Sequence, residues 1–161
     1  MHVPGRKSGE TGAVTVRRMF AQDVSSVLNI LQESPEASNW SGESLLKSAA
    51  EGMAWVADWD GRVAGFLVGR IALDEFEVLN LAVGLDFRRR GVATSLVSGV
   101  LENVKSTGAR KTYLEVRASN LGAIALYRQL RFEDCGRRLN YYHDPQEDAV
   151  LLVLHQNESI S

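Results

Sequence analysis

Apolar and polar positions along this chain repeat in two rhythms, one of period two and one of period 3.6. The run "AVTVRRM" (13–19) has strand composition. From Asp23, Val24, Val27, Leu28 and Leu31 recur at i, i+3, i+4 and i+7, which predicts a helix that Pro35 stops. "NWSGESLLKSAA" predicts a second helix with Ser41 as N-cap and Leu45, Leu46 and Ala49 facing inward. "MAWVADWDGRVAGFLVGRIAL" reads as a hairpin turning at Asp60-Gly61, and "EFEVLNLAV" as a further strand. Val92, Leu96, Val97, Val100, Leu101 and Val104 form an apolar stripe at helical spacing, with Gly108 placed to end that helix. "KTYLEVRA" is a strand, and "SNLGAIALYRQL" a helix opened by Ser119 or Asn120. "FEDCGRRLNYY" and "DAVLLVLHQ" are two strands around a polar loop. The order βααβββαβαββ describes an α/β chain, a mixed sheet with helices on both faces.

Length and composition narrow the class. A chain of 161 residues fits one domain over 13–156, with loose tails at 1–12 and 157–161. Its net charge of −2 gives no long-range attraction to nucleic acid or an anionic membrane. A lone Cys135 allows no intramolecular disulfide and reads as a small buried hydrophobe in a reducing, cytoplasmic setting. Neither a long apolar run nor a signal-peptide core is present.

The stretch "GLDFRRRGVA" lies between a strand and a helix start. A helix N-terminus leaves backbone N–H groups without partners and carries partial positive charge, so it suits an anion. Gly91 lets a phosphate come close to the backbone, Ala93 keeps the first turn slim, and the main-chain amides of Arg89–Thr94 are the candidate donors. A solvated basic turn is the competing reading. Walker and dinucleotide-binding patterns are absent.

Glu115 stands in an otherwise apolar strand, with Leu114 and Val116 pointing the other way. Such a carboxylate is solvated, paired or functional. Arg117, on the same face, offers the plain alternative of a surface pair on an edge strand, and for Tyr127 the alternative is core packing. Together with the loop, the two fit acyl transfer to an amine. An α-amine, with a pKa near 8, must shed a proton before attack, and a carboxylate can take it. A phenol can protonate the departing thiolate.

"LEVRASNLGAIALYRQLRF" resembles the ribosomal-protein-alanine N-acetyltransferases, the RimI branch of the GCN5-related N-acetyltransferase (GNAT) superfamily. Arg88-x-x-Gly91-x-Ala93 resembles that superfamily's pyrophosphate signature. "NWSGESL", "LNLAV" and "RRLNYYHDPQEDAVLLVL" resemble further segments of the branch, so the likeness spans about 14–155. It implies a GNAT fold: a mostly antiparallel six- to seven-stranded sheet, four helices, and central strands splayed around acetyl-CoA. By position it implies that Leu81, Ala82 and Val83 hold the acetyl and pantetheine groups. Arg88, Arg89, Arg90, Gly91, Val92, Ala93 and Thr94 would form the pyrophosphate loop, and Asn120 and Tyr127 would also contact acetyl-CoA. Glu115 would be the base, Tyr127 the acid, and Trp40, Glu75, Tyr141 and Tyr142 would border the acceptor peptide. Arg131 stands where the family has a helix-ending glycine, which costs on the order of 1 kcal/mol if the position is left-handed.

The implied reaction is acetylation of a protein N-terminal amine, with alanine of a small-subunit ribosomal protein as acceptor. The chain would act as a monomer or weak dimer, without nucleic acid, membrane or metal. Asp74, Glu75, Glu77, Asp144, Glu147 and Asp148 would supply acidity for a basic tail. Acetylation of lysines or small amines, and a non-catalytic acyl-CoA-binding module, are the alternatives.

Overall fold

The computed structural model describes residues 14–156; the expected tails at 1–12 and 157–161 lie outside the described residues. Seven strands and four α-helices follow the expected order: β1 (Val14–Arg18), α1 (Val24–Gln32), α2 (Gly42–Ala50), β2 (Ala54–Trp59), β3 (Arg62–Ala72) and β4 (Glu75–Val83) come first. Then come α3 (Val92–Lys105), β5 (Lys111–Arg117), α4 (Leu121–Gln129), β6 (Glu133–Tyr142) and β7 (Glu147–His155). The sheet runs β1-β2-β3-β4-β5-β7-β6. β4 and β5 pair in parallel, through Glu75–Glu77 and Lys111–Tyr113, whereas β1–β2, β2–β3, β5–β7 and β6–β7 are antiparallel. Among the described residues no helix is long and apolar enough to cross a membrane.

The chain divides into two compact units, the first comprising residues up to Gly69 together with Asn80–Leu101. Its core packs Val24, Val27 and Ile30 of α1 and Leu45 of α2 against Ala54, Val56, Phe66, Val68 and Ala82 of the strands. Leu46, expected inside, is exposed, because only Leu45 and Ala49 lie on the inward line of α2 and Leu46 sits about 100° round the helix. Asp60 (φ 52) and Gly61 (φ 87) are both left-handed, the conformation a tight two-residue hairpin demands.

Two contacts brace this unit. Arg17 donates to both carboxylate oxygens of buried Asp23, at 2.8 and 3.1 Å, and Asp23 also accepts from the Phe20 amide at 2.8 Å. At Gly99 an added Cβ would lie 2.8–3.0 Å from the three side-chain carbons of Val16, so α3 rests directly on β1.

The second unit, Arg70–Leu79 with Glu102 onward, is built around β5. Thr112, Leu114 and Val116 are buried there, with Ile124, Phe132, Leu152 and Val153. β5 lies between β4 and β7, paired to β4 over Lys111–Tyr113 and to β7 over Lys111–Arg117, so it is not the edge strand that the plainer reading of Glu115 required. Cys135 is exposed, contrary to expectation, because β6 is an outer strand of the sheet and open along its length. Arg131 adopts φ 78, the left-handed geometry that a glycine would take without strain.

Gly99→Ala should destabilise the protein by about 1–2 kcal/mol in chemical denaturation, since overpacking against Val16 outweighs alanine's helix preference. Adding Val16→Ala should recover part of the loss. For Asp23, burial alone would raise the pKa, but bonds from Arg17 and the Phe20 amide hold it below the ordinary carboxylate range. Its contribution is therefore fully present above about pH 4, near the unfolded-state value, and is lost as acid titrates the folded carboxyl. Asp23→Ala should cost about 2–4 kcal/mol at neutral pH, with the gap to the parent protein closing under acid denaturation.

Candidate active site

The anion loop belongs to the first unit. A short 3₁₀ turn, Leu85–Phe87, leads from β4 into it. The backbone turns left-handed at Arg89 (φ 64) and again at Gly91 (φ 80), after which α3 begins. Such reversals aim successive N–H groups to one side, and the first-turn amides of a helix have no carbonyl within it. A Cβ at Gly91 would meet nothing within 4 Å, so the backbone there is open to a ligand.

The three arginines do different things. Arg88 turns into the protein, where Nε donates to the Val83 carbonyl at 2.9 Å and one Nη to the Glu33 carbonyl and Ser34 hydroxyl at 3.2 and 3.1 Å. Its side chain is a strut, and the rim of the loop is left to exposed Arg89 and Arg90. Arg90 lies 5.6 Å over the ring of Trp59, which contacts Phe87 at 5.7 Å. Val92 is buried, Ala93 half-buried and Thr94 exposed.

Just before the loop, Leu81 and Val83 are half-buried and Ala82 is buried. The Val83 carbonyl is taken by Arg88, and the Leu81 amide donates to the Asn80 side chain at 3.1 Å. Asn80 also donates to the Ser38 carbonyl at 2.8 Å, tying β4 to the segment that leads to half-buried Trp40. Periodicity gave no sign of this clasp.

The carboxylate and the phenol belong to the second unit. The Glu115 side chain is 19% exposed, and its Oε2 accepts from Nε of Arg138 at 2.5 Å. The expected partner, Arg117, is engaged elsewhere: it donates to Glu147 at 3.2 Å and to the His143 and Pro145 carbonyls, and lies 4.4 Å over the Tyr142 ring. Glu147 in turn accepts from the Ser119 amide at 2.6 Å. Hydrogen bonding from Ser119, together with Arg117, holds Glu147 below the ordinary carboxylate range. The β6–β7 turn is thus fastened to the end of β5.

Tyr141 and Tyr142 meet edge to face at 5.1 Å. The Tyr141 phenol is raised by hydrogen bonding to Glu115 and by that carboxylate's charge. Burial, with Glu115 nearby, pushes Tyr142 up to about 12. Tyr127 is buried on α4, its ring 5.3 Å from Phe132, and burial raises its pKa. Asn120 is the N-cap of α4 and accepts from the Ala123 amide at 3.2 Å. Glu75 is half-buried. Of the acidic candidates, Glu77, Glu147 and Asp148 are neutralised by Arg70, Arg117 and Arg137.

A backbone loop open to an anion and a carboxylate beside paired phenols are the parts an acyl transferase to amines needs. Residues 24–132 match the model of the acetyltransferase (GNAT) family. The chain belongs to this family. It is similar to the [ribosomal protein bS18]-alanine N-acetyltransferase of Escherichia coli strain K12, at 32% identity over 87% of this chain and 96% of that protein. The enzyme of that name from Salmonella typhimurium is 41% identical over 97 residues, 59% of this chain and 66% of that protein. A crystal structure of the Escherichia coli ribosomal-protein-S18-alanine N-acetyltransferase superposes with TM-score 0.80 at 30% identity, covering 91% of this chain and 96% of that one. The protein is accordingly an acetyl-CoA-dependent N-acetyltransferase with the GNAT fold.

Arg88→Ala should remove the strut without touching the loop's amides. The expected result is a stability loss of about 1–3 kcal/mol and a several-fold weaker Kd for acetyl-CoA by calorimetry, with kcat at saturating donor largely kept. An unchanged Kd would show that the loop holds its shape unaided.

Proposed function

We propose that this enzyme transfers the acetyl group of acetyl-CoA to a protein N-terminal α-amine, with alanine at the start of a small-subunit ribosomal protein as the acceptor. The observation that carries this reading is Glu115, a carboxylate held on an inner strand, paired to β7 opposite Leu151 and bordered by Tyr141 and Tyr142. The acceptor follows that of the similar enzymes of Escherichia coli and Salmonella typhimurium, named for alanine of ribosomal protein bS18.

On this reading the main-chain amides of Arg89–Thr94 bind the pyrophosphate, with Arg89 and Arg90 adding charge at the rim. The backbone of Leu81, Ala82 and Val83 positions the acetyl and pantetheine groups, and Asn120 contacts the donor from the start of α4. Trp40, Glu75, Tyr141 and Tyr142 border the acceptor. Glu115 takes a proton from the incoming ammonium, directly or through one water. The amine then attacks the thioester carbonyl, the C–S bond breaks, and the Tyr127 phenol protonates the thiolate. The second proton of the attacking nitrogen restores the phenol, and Glu115 releases its proton to solvent. Burial keeps that phenol protonated throughout the working pH range, and the same surroundings disfavour a bare thiolate. No covalent enzyme intermediate is needed.

Thiol release from acetyl-CoA with an Ala-initiated basic peptide tests the reading directly. The same peptide with a blocked N-terminus should give no turnover, whereas a lysine-directed enzyme would still react. Glu115→Gln should lower kcat by about 10²-fold or more while leaving acetyl-CoA affinity within about twofold. An unchanged kcat would remove Glu115 from the role.

A further inference from the structure

Resting on the reading of Glu115 as the base, we propose that Arg138 is a displaceable guard. It covers the carboxylate until a cationic amine replaces it, and so keeps the enzyme from activating water. The contrast between the two arginines nearest Glu115 points to this. Arg117, with its side chain 18% exposed, is held by three separate oxygens and a ring face. Arg138 is 55% exposed and meets Glu115 through Nε alone, with only the face of Tyr141, 5.6 Å away, beneath it. One short charge-assisted bond holds Arg138, whereas Arg117 is fastened from several sides. A long side chain half in solvent can give up that one bond to another cation, which replaces it in kind.

Its placement is also specific. Between Arg138 and Tyr142 the β6–β7 register shifts, so that four steps along β6 match two along β7. Arg138 stands opposite Ala149, which itself stands opposite Arg117 of β5. A methyl group on the intervening strand leaves the long side chain room to cross β7 and reach Glu115. Tyr141, on the bulge, is hydrogen-bonded to Glu115 and feels its charge. Glu77, which also faces Arg138 and Tyr141, is tied to Arg70 at 2.8 Å.

An α-ammonium carries the same charge as the guanidinium and three N–H donors, so it can take the place of Arg138 by exchange of one cation for another. Water is neutral and cannot. With the guard in place, water near the thioester finds the base already occupied. With it gone, water can give a proton to Glu115 while its oxygen bonds to the acetyl carbon. The C–S bond then breaks, and the thiolate takes its proton from Tyr127. The acetic acid formed ionises and restores the phenol, and Glu115 releases its proton to solvent, leaving acetate and CoA. Arg138 is thus a positioning and specificity residue for amine over water.

Thiol release from acetyl-CoA without any acceptor, followed in the full-length protein, tests the guard. Arg138→Gln should raise this hydrolysis at least threefold and lower the KM of an Ala-initiated peptide by more than it changes kcat. Arg138→Lys, which keeps the charge, should hydrolyse more slowly than Arg138→Gln, and Arg138→Met serves as the neutral variant if the glutamine form is unstable. Adding Glu115→Gln to Arg138→Gln should abolish the excess. Hydrolysis equal to the parent enzyme in both neutral variants, or a raised peptide KM, would overturn the guard. The acceptor-free assay separates the two ideas: a parent enzyme that acetylates no α-amine sinks the proposed acceptor, while the hydrolysis comparison still decides the role of Arg138.

Discussion

A charged side chain on an inner strand cannot turn away from its sheet, and much of the second unit answers that constraint. Because Thr112, Leu114 and Val116 are buried on one face of β5, alternation fixes Glu115 and Arg117 on the other. Each then takes a partner of opposite charge from the last two strands: Arg138 for Glu115 and Glu147 for Arg117. The two pairs differ in character. Arg117 and Glu147 are closed off by extra hydrogen bonds and hold the β6–β7 turn, whereas the pair at Glu115 stays half in solvent. One strand thus carries a structural charge and a chemically accessible one, two residues apart.

The anion loop solves a related problem by different means. Three like charges in a row repel one another, and the fold separates them by function. Arg88 satisfies carbonyls at the end of β4 and of α1, so its charge is spent on fixing the loop's path. Arg90 lies on Trp59, which keeps a long side chain ordered without consuming its charge. Left-handed backbone at Arg89 and Gly91 then sets the direction of the amides before any ligand arrives, which lowers the ordering cost of binding.

Features written in local chemistry were legible in the sequence. Ser41 and Asn120 cap their helices through the amides of Ser44 and Ala123, and Asp60-Gly61 turns its hairpin, because a cap or tight turn depends on residues only a few positions apart. The position of Glu115 on β5 was equally readable from alternation. Its counter-ion was not, because the partner is 23 residues away and the pairing depends on a bulge that no periodicity announces. Arg117 was the nearer candidate in sequence, but the turn beyond β6 claims it. Leu46 and Cys135 were misjudged for a simpler reason. Hydrophobic character says that a side chain can be buried, and only the line of contact along α2 and the place of β6 at the margin of the sheet say whether it is.

That margin has a bearing on behaviour in a crowded solution. β6 exposes a long row of backbone donors and acceptors, the kind of surface that templates fibre growth between chains. Two irregularities, at Gly136 and across Leu139–Tyr141, break its pitch, and Glu133, Asp134, Arg137 and Arg138 stud it with charge of both signs. A flat neighbouring strand would lose register within a few residues of docking and would have to cover charged side chains, three of which already hold partners within their own fold. The same kink that delivers a guanidinium to Glu115 therefore also blunts the rim of the sheet against polymerisation.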